Sequence, residues 1–354
     1  MELALAGLIA TIIGIIIAVY FGIKSLKIKV PAGLQKDIQK IKTQMERVTI
    51  YIDGLDKTKD KNKKALFEKG ISLMAEYKYG EAIEPFRECL NLESDGSEKS
   101  ALLLLIGNSF YAQSKWDQAL GSWKEALDTA EKANDEQGQA ASLGNLGSVY
   151  QDKGEWDKAI EFYNKALQGL EKIGDEHGMA QTFNNLGVVY QAKGEWDKAI
   201  KFYDKSLKIK EKIGDERGMA TTYMNLGNVY QLKGEWDKAI EFYNKSLKIK
   251  EKMGDEHGMA QTYNNLGIVY EIKGEWDKAI EFYNKSLKID EKIGDEHGMA
   301  QTFNNLGLVY QAKGEWDKAI EFYSKDLAIS KKIGDEHGMA QTFNNLGVVY
   351  QDKR

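Results

Sequence analysis

A unit of 40 residues recurs through most of this chain: residues 300–339 match residues 260–299 at 31 of 40 positions. Repetition at that period constrains the fold more than any single motif. Each copy must form the same supersecondary element and bury its apolar side against its neighbours. The unit runs Gly-Asp-Glu-His-Gly, then Met-Ala-Gln-Thr-Phe-Asn-Asn-Leu-Gly-Val-Val-Tyr, then Lys-Gly-Glu-Trp-Asp-Lys-Ala-Ile. Glycine is frequent (34) and proline nearly absent (2), which suits many helices punctuated by glycine.

The pattern inside one copy predicts two antiparallel helices. In the first, Met179, Phe183, Leu186 and Tyr190 recur at spacings of four, three and four, one stripe of a helix. Gly187 on that turn lets a neighbouring helix come close. Asp175 is placed to cap the N-terminus, and Lys193-Gly194 stands where a last turn and a left-handed stop are wanted. The second helix is predicted from near Glu195, with Asp197 in its first turn, packing through Trp196, Ala199, Ile200, Tyr203, Leu207 and Ile213 until Gly214 ends it. Neither helix can bury its stripe alone, so the expected fold is an all-α stack of helical pairs.

At Leu186, Gly187, Tyr190, Ala199 and Tyr203 the sequence resembles the tetratricopeptide repeat, matching that family's Leu-Gly-x-x-Tyr and Ala-x-x-x-Phe/Tyr positions in order and spacing. The glycine recurs as Gly70, Gly107, Gly147, Gly187, Gly227, Gly267, Gly307 and Gly347. The alanine recurs as Ala82, Ala119, Ala159, Ala199, Ala239, Ala279 and Ala319. Seven full units are expected, starting near residues 63, 100, 140, 180, 220, 260 and 300, with a half unit from 340. The resemblance implies a right-handed solenoid. The longer unit, without the usual proline near its end, is similar to the variety in kinesin light chain and Partner of Inscuteable. The first unit departs furthest, with Leu73 in place of tyrosine and Pro85 inside its second helix, where a kink is expected. The last unit stops after its first helix, with Phe343 and Leu346 lacking a following partner; a truncation or an unusual cap would account for it.

In this family the first helices line a concave, ligand-facing surface, which here implies Asn184, Asn185, Val188 and Gln191 of one unit and Asn264, Asn265, Ile268 and Glu271 of another. The equivalents of Asn185 form a ladder, Asn145, Asn185, Asn225, Asn265, Asn305 and Asn345, accompanied by Asn304 and Gln231. An amide offers two donors and an acceptor, the needs of an extended peptide backbone. The resemblance implies that use; the alternative is that the asparagines bond neighbouring helices and set the pitch of the stack. One inward site varies, through Ser148, Val188, Asn228, Ile268 and Leu308. None of the inward positions from 141 to 352 is basic, so the carboxylate clamp of some family members is not expected.

The remaining residues carry no catalytic pattern. His177, His257, His297 and His337 each sit in a Gly-Asp-Glu-His-Gly turn, one stacked unit apart. Metal ligands must converge within ~2 Å of one ion, and Arg217 replaces one of these histidines, so capped turns are expected rather than a metal site. Cys89 is the single cysteine, which precludes an internal disulfide and suits helix packing. Without a triad, phosphate loop or paired acids outside the repeats, the expectation is a binding scaffold that is not an enzyme and holds no cofactor.

The first 64 residues differ in kind. Residues 3–23 are an uncharged run of 21, enough for a spanning helix, and Lys24, Lys27 and Lys29 follow at once. The expectation is a single-pass membrane protein, anchored in the lipid bilayer through 3–23 within a segment 1–30, its repeats on the cytoplasmic side. In 31–56 an a/d seam runs through Leu34, Ile38, Ile41, Met45, Val48, Ile52 and Leu55. Residues 34–55 then either pair with a second copy in a homo-oligomer or form an amphipathic helix that lies on the repeats or on the membrane. Residues 57–64 read as a basic linker before the array at 65–354. Residues 24–64 carry a charge of +7 and residues 65–354 carry -11, so the body lacks the basic footprint of a nucleic-acid binder. The helix 101–106 is apolar all round, predicting an apolar groove at Leu104, Leu105, Asn108 and Tyr111 that a partner helix or residues 34–55 would cover. The leading functional expectation is an adaptor for a protein or peptide; a ligand-sensing regulator and an architectural spacer are the alternatives.

Overall fold

The computed structural model describes residues 61–353, and every regular element among them is an α-helix. The chain forms two compact units, one running to Ile213 and one from Gly214. The first contains α1 (Lys61–Ala75), α2 (Tyr79–Asn91), α3 (Gly96–Ala112), α4 (Trp116–Lys132), α5 (Glu136–Asp152), α6 (Trp156–Ile173), α7 (Glu176–Ala192) and α8 (Trp196–Ile213). The second contains α9 (Glu216–Leu232), α10 (Trp236–Met253), α11 (Glu256–Ile272), α12 (Trp276–Ile293), α13 (Glu296–Ala312), α14 (Trp316–Ile333) and α15 (Glu336–Asp352). Odd-numbered helices are the first of each pair and even-numbered the second.

The expected membrane-spanning architecture is corrected. Among the described residues no helix is long and apolar enough to cross a membrane, because every second helix carries a charged face. Among the described residues the supported fold is an all-α repeat array without a spanning helix, and the expected single-pass, cytoplasm-facing placement finds no support there. The run 3–23 and the seam 34–55 lie outside the described residues.

The turns explain why the helices stop where they do. Gly174, Gly194, Gly234, Gly254, Gly274 and their equivalents hold φ of +67° to +75°, a left-handed conformation that only glycine adopts without strain. After Gly174, Gly214, Gly254, Gly294 and Gly334, as after Asn134, the next residue is an aspartate whose carboxylate accepts the backbone N–H of a glycine three residues on. Those bonds are 2.8–3.1 Å at Asp135, Asp175, Asp215, Asp255, Asp295 and Asp335. Asp215→Ala is expected to cost about 1 kcal/mol, read as increased hydrogen exchange confined to the first turn of α9.

The core of each pair closes on a ring seated in a glycine. A Cβ on Gly187 would lie 2.4 Å from the Tyr203 ring, and Gly147, Gly227, Gly267 and Gly307 stand equally tight against Tyr163, Tyr243, Tyr283 and Tyr323. The five tyrosines are buried. Beside them Tyr190 stacks on Phe202 at 5.2 Å between ring centroids, an arrangement repeated at Tyr230–Phe242, Tyr270–Phe282 and Tyr310–Phe322. Trp196 departs from expectation: it stands 36% exposed at the start of α8, beside its glycine turn, and contributes less to the core than Ala199 and Tyr203.

α1 begins at Lys61, inside the stretch read as a linker, because Lys63 has a buried place to go. Its ammonium pairs with Glu93 and, at 3.3 Å, with Glu98. Burial alone would raise both acids. Hydrogen bonds from Glu98, Lys63 and the N–H groups of Asp95 and Ser94 instead hold Glu93 down, whereas burial and the Glu93 charge push Glu98 up to about 7. Cys89 is buried beside this cluster, its thiol 3.6 Å from the Lys63 carbonyl.

Candidate functional site

In each unit a groove runs along the first helices. In the unit ending at Ile213 the groove encloses about 400 Å³ and is lined at one end by Ala101, Leu104 and Leu105 and at the other by Asn145 and Asn185. Four of the six residues of the apolar run, Leu102, Leu103, Leu104 and Ile106, are buried by the array itself. The helix that is apolar all round therefore needs no outside cover for most of its surface; Ala101 and Leu105 are the half-buried exceptions. Asn108 lines the groove, and Asn145 donates to it at 3.4 Å. Tyr111 is drawn elsewhere: its ring packs on Trp123 and its hydroxyl donates to Asp152.

In the unit from Gly214 the groove encloses about 420 Å³ and brings Asn264 and Asn265 together with Met224 and Asn228 from the preceding pair. The asparagines bridge successive first helices. Asn305 Nδ2 donates to Asn264 Oδ1 at 2.9 Å, and Asn345 Nδ2 to Asn304 Oδ1 at 2.9 Å. Where Met224 replaces asparagine, Asn265 Nδ2 lies 3.3 Å from its sulfur and 3.4 Å from Asn228 Oδ1. Asn305 and Asn345 each spend one N–H on their bridge. Among the described residues the carbonyl oxygens of Asn265, Asn305 and Asn345 accept no hydrogen bond, and all three side chains are half-buried.

Other ladder positions are engaged within the fold. Gln191 accepts from the Tyr203 hydroxyl at 2.9 Å and Gln231 from Tyr243 at 2.8 Å, while Tyr283 donates to Glu271 at 2.6 Å. Burial raises the Glu271 carboxyl above its ordinary range, and the Tyr283 bond opposes that rise. Asn184 and Asn225 are half-buried on α7 and α9. Asn185 lies within reach of the Tyr163 hydroxyl, whose proton burial holds to about pH 12.

One position was not visible as functional in the sequence. Residues 130, 170, 210, 250, 290 and 330 stand at the same place in successive second helices, and all are buried. They read Ala, Leu, Lys, Lys, Asp and Ser within an otherwise closely copied array. Lys250 donates to the Gly258 carbonyl at 3.1 Å and to the Thr262 hydroxyl at 2.9 Å, and burial lowers its ammonium to about 8. Asp290 opens onto the groove, and burial, with Asp295 nearby, raises its carboxyl to about 6. Chemical variation at one buried register of near-identical copies is the signal that would have found it. No group of three or more His, Cys, Asp or Glu side chains converges among the described residues.

Stacked helical pairs with a polar, amide-lined groove define the class of helical-repeat binding scaffolds. A sequence profile of the tetratricopeptide repeat matches residues 98–172, 178–252, 218–292 and 298–354, more than half of the chain, and the chain belongs to that family. A search of curated proteins gives no match. Solved structures of similar fold include a STAND signal-transduction ATPase with a tetratricopeptide repeat sensor from Pyrococcus horikoshii. It is 18% identical with a TM-score of 0.69, over 89% of this chain and 50% of that one, so this chain spans half of its length. A Rap protein complexed with competence and sporulation factor aligns at 16% identity and TM-score 0.56, over 90% and 94%. A putative kinesin light chain with nearly identical TPR-like repeats, from Podosopora anserina, aligns at 22% identity and TM-score 0.47, over 54% and 95%.

Proposed function

We propose that this protein is a non-catalytic scaffold that holds an extended protein or peptide segment against the asparagine row of its first helices. The observation that carries this reading is the set of unclaimed amide oxygens at Asn265, Asn305 and Asn345. Each asparagine is fixed in orientation by the bridge it donates to the preceding pair, leaving an acceptor on the groove side at a constant interval. A row of oriented acceptors, one per repeat, suits the N–H groups of an extended chain. The Rap protein solved with competence and sporulation factor lends support as a similar fold that holds a ligand.

The test is selection from a random peptide phage library on the full chain, followed by binding to the Asn265→Ala/Asn305→Ala variant. Captured peptides are expected to bind the variant about tenfold or more weakly, since two hydrogen bonds are lost. The melting temperature should fall only slightly, because each bridge is a single half-exposed hydrogen bond. Undiminished capture by the variant would overturn this reading and leave the asparagines as spacers of the stack.

A further inference from the structure

Resting on that reading, we infer that the groove between α11 and α13 is a subsite for a lysine or arginine side chain of the bound segment, with Asp290 as its counter-charge and Thr302 as a second acceptor. Asp290 is 2% exposed, yet no lysine or arginine lines its cavity, and the one hydroxyl within reach of its carboxylate is that of Ser286. The nearest hydroxyl, Ser286, has one proton. It lies 2.8 Å from the Ala260 carbonyl and 3.3 Å from Asp290 Oδ2, so the carbonyl takes it. The other carboxylate oxygen accepts nothing among the described residues.

Thr302 supplies an independent observation. Thr182, Thr222 and Thr262 each donate to the glycine carbonyl four residues earlier, at 2.8–2.9 Å. Thr302 occupies the same place, is 1% exposed and lines the groove, but its hydroxyl makes no such bond. Two polar side chains thus line one cavity with hydrogen-bonding capacity to spare for a donor that enters it.

The next repeat shows how the fold satisfies such a carboxylate when it is structural. There the pair is exchanged, Ser286/Asp290 becoming Asp326/Ser330. Ser330 donates to Asp326 at 2.9 Å, and Thr342 closes on its other oxygen. Nothing equivalent closes on Asp290.

The charges around the groove select the sign of the occupant. Asp290 and Asp295 line it with His257 and His297, and no lysine or arginine does. Asp295 is already engaged, capping α13 through Gly298 and holding His257 Nδ1 at 3.1 Å. Asp290 is the carboxylate left for a ligand. An ammonium or guanidinium brings only donors, which two carboxylate oxygens and a hydroxyl can accept. The cavity opens beside Asn265, so a chain held there by its backbone can turn one side chain inward.

The array provides its own control substitutions, leucine from position 170 and lysine from position 250. Peptides selected on the full wild-type chain should share one Lys or Arg position, and replacing that residue by norleucine should weaken binding about tenfold. Asp290→Leu should bind both forms alike, and selection on Asp290→Lys should enrich Asp or Glu instead. Peptides that depend on Asn265 and Asn305 but show no basic position, or a basic preference unchanged in Asp290→Leu, overturn this subsite and leave the scaffold reading intact. Selection of no peptide overturns both.

Discussion

Replacing Tyr283 with alanine is expected to cost the unit from Gly214 about 4 kcal/mol, more than any other single truncation in its core. The ring is fully buried, fills the hollow over Gly267 and donates its hydroxyl to Glu271. Its loss leaves a cavity, removes aromatic packing and orphans an already raised carboxyl. The reciprocal change, Gly267→Ala, should cost about 2–3 kcal/mol although alanine favours a helix, since the added Cβ would lie 2.5 Å from the ring. Combining the two should cost markedly less than their sum, because alanine at 267 has room once the ring is gone. Urea unfolding of the full chain and its variants measures all three. Additive losses would show that the glycine serves the backbone rather than the ring.

Asp290→Leu is expected to act in the opposite direction and stabilise the same unit by about 2–3 kcal/mol at pH 7. The buried carboxyl rises from an ordinary 3.8 to about 6, chiefly through burial, and a rise of that size corresponds to about 3 kcal/mol. The folded state therefore holds the proton more tightly than the unfolded chain. Its stability is highest below pH 4 and declines as pH climbs through 6, where the acid ionises in place. Leucine removes that decline, so the advantage of the variant should be nearly absent at pH 4 and complete by pH 7. Thermal melts of both proteins at those two values check the sign. An advantage equal at both pH values would mean better packing alone.

Much of this architecture was legible because it is periodic. Leu186, Gly187 and Tyr190 announce a helix stripe, and Asp175 and Gly194 its ends, since caps and left-handed stops have specific residue requirements. Trp196 was misjudged because apolarity and spacing cannot tell a side chain inside the pair from one at its edge. The asparagine row was visible as a pattern, but not that Asn305 and Asn345 would each spend one N–H on the preceding repeat. Asp290 was hidden for a different reason. A charged residue on the second helix reads as solvated, and only the packing of α13 over it shows that it is buried.

The way the pairs are joined also has a genetic consequence. The seams within the second unit are made largely by recurring residues: Asn305 reaches Asn264 as Asn345 reaches Asn304, and Lys313 meets Asp277 as Lys273 meets Asp237. One copy can therefore follow another through the same joint, with Met224 the exception in the asparagine row. Unequal crossing-over between such similar stretches of gene would add or drop whole copies in frame and yield a chain that still folds. Loss of residues 260–299 would join Met259 to Ala300 as smoothly as it is now joined to Ala260, yet it would delete Asp290. In such an array the number of copies sets how long a segment can be held, and the choice of copies sets which side chains it must carry.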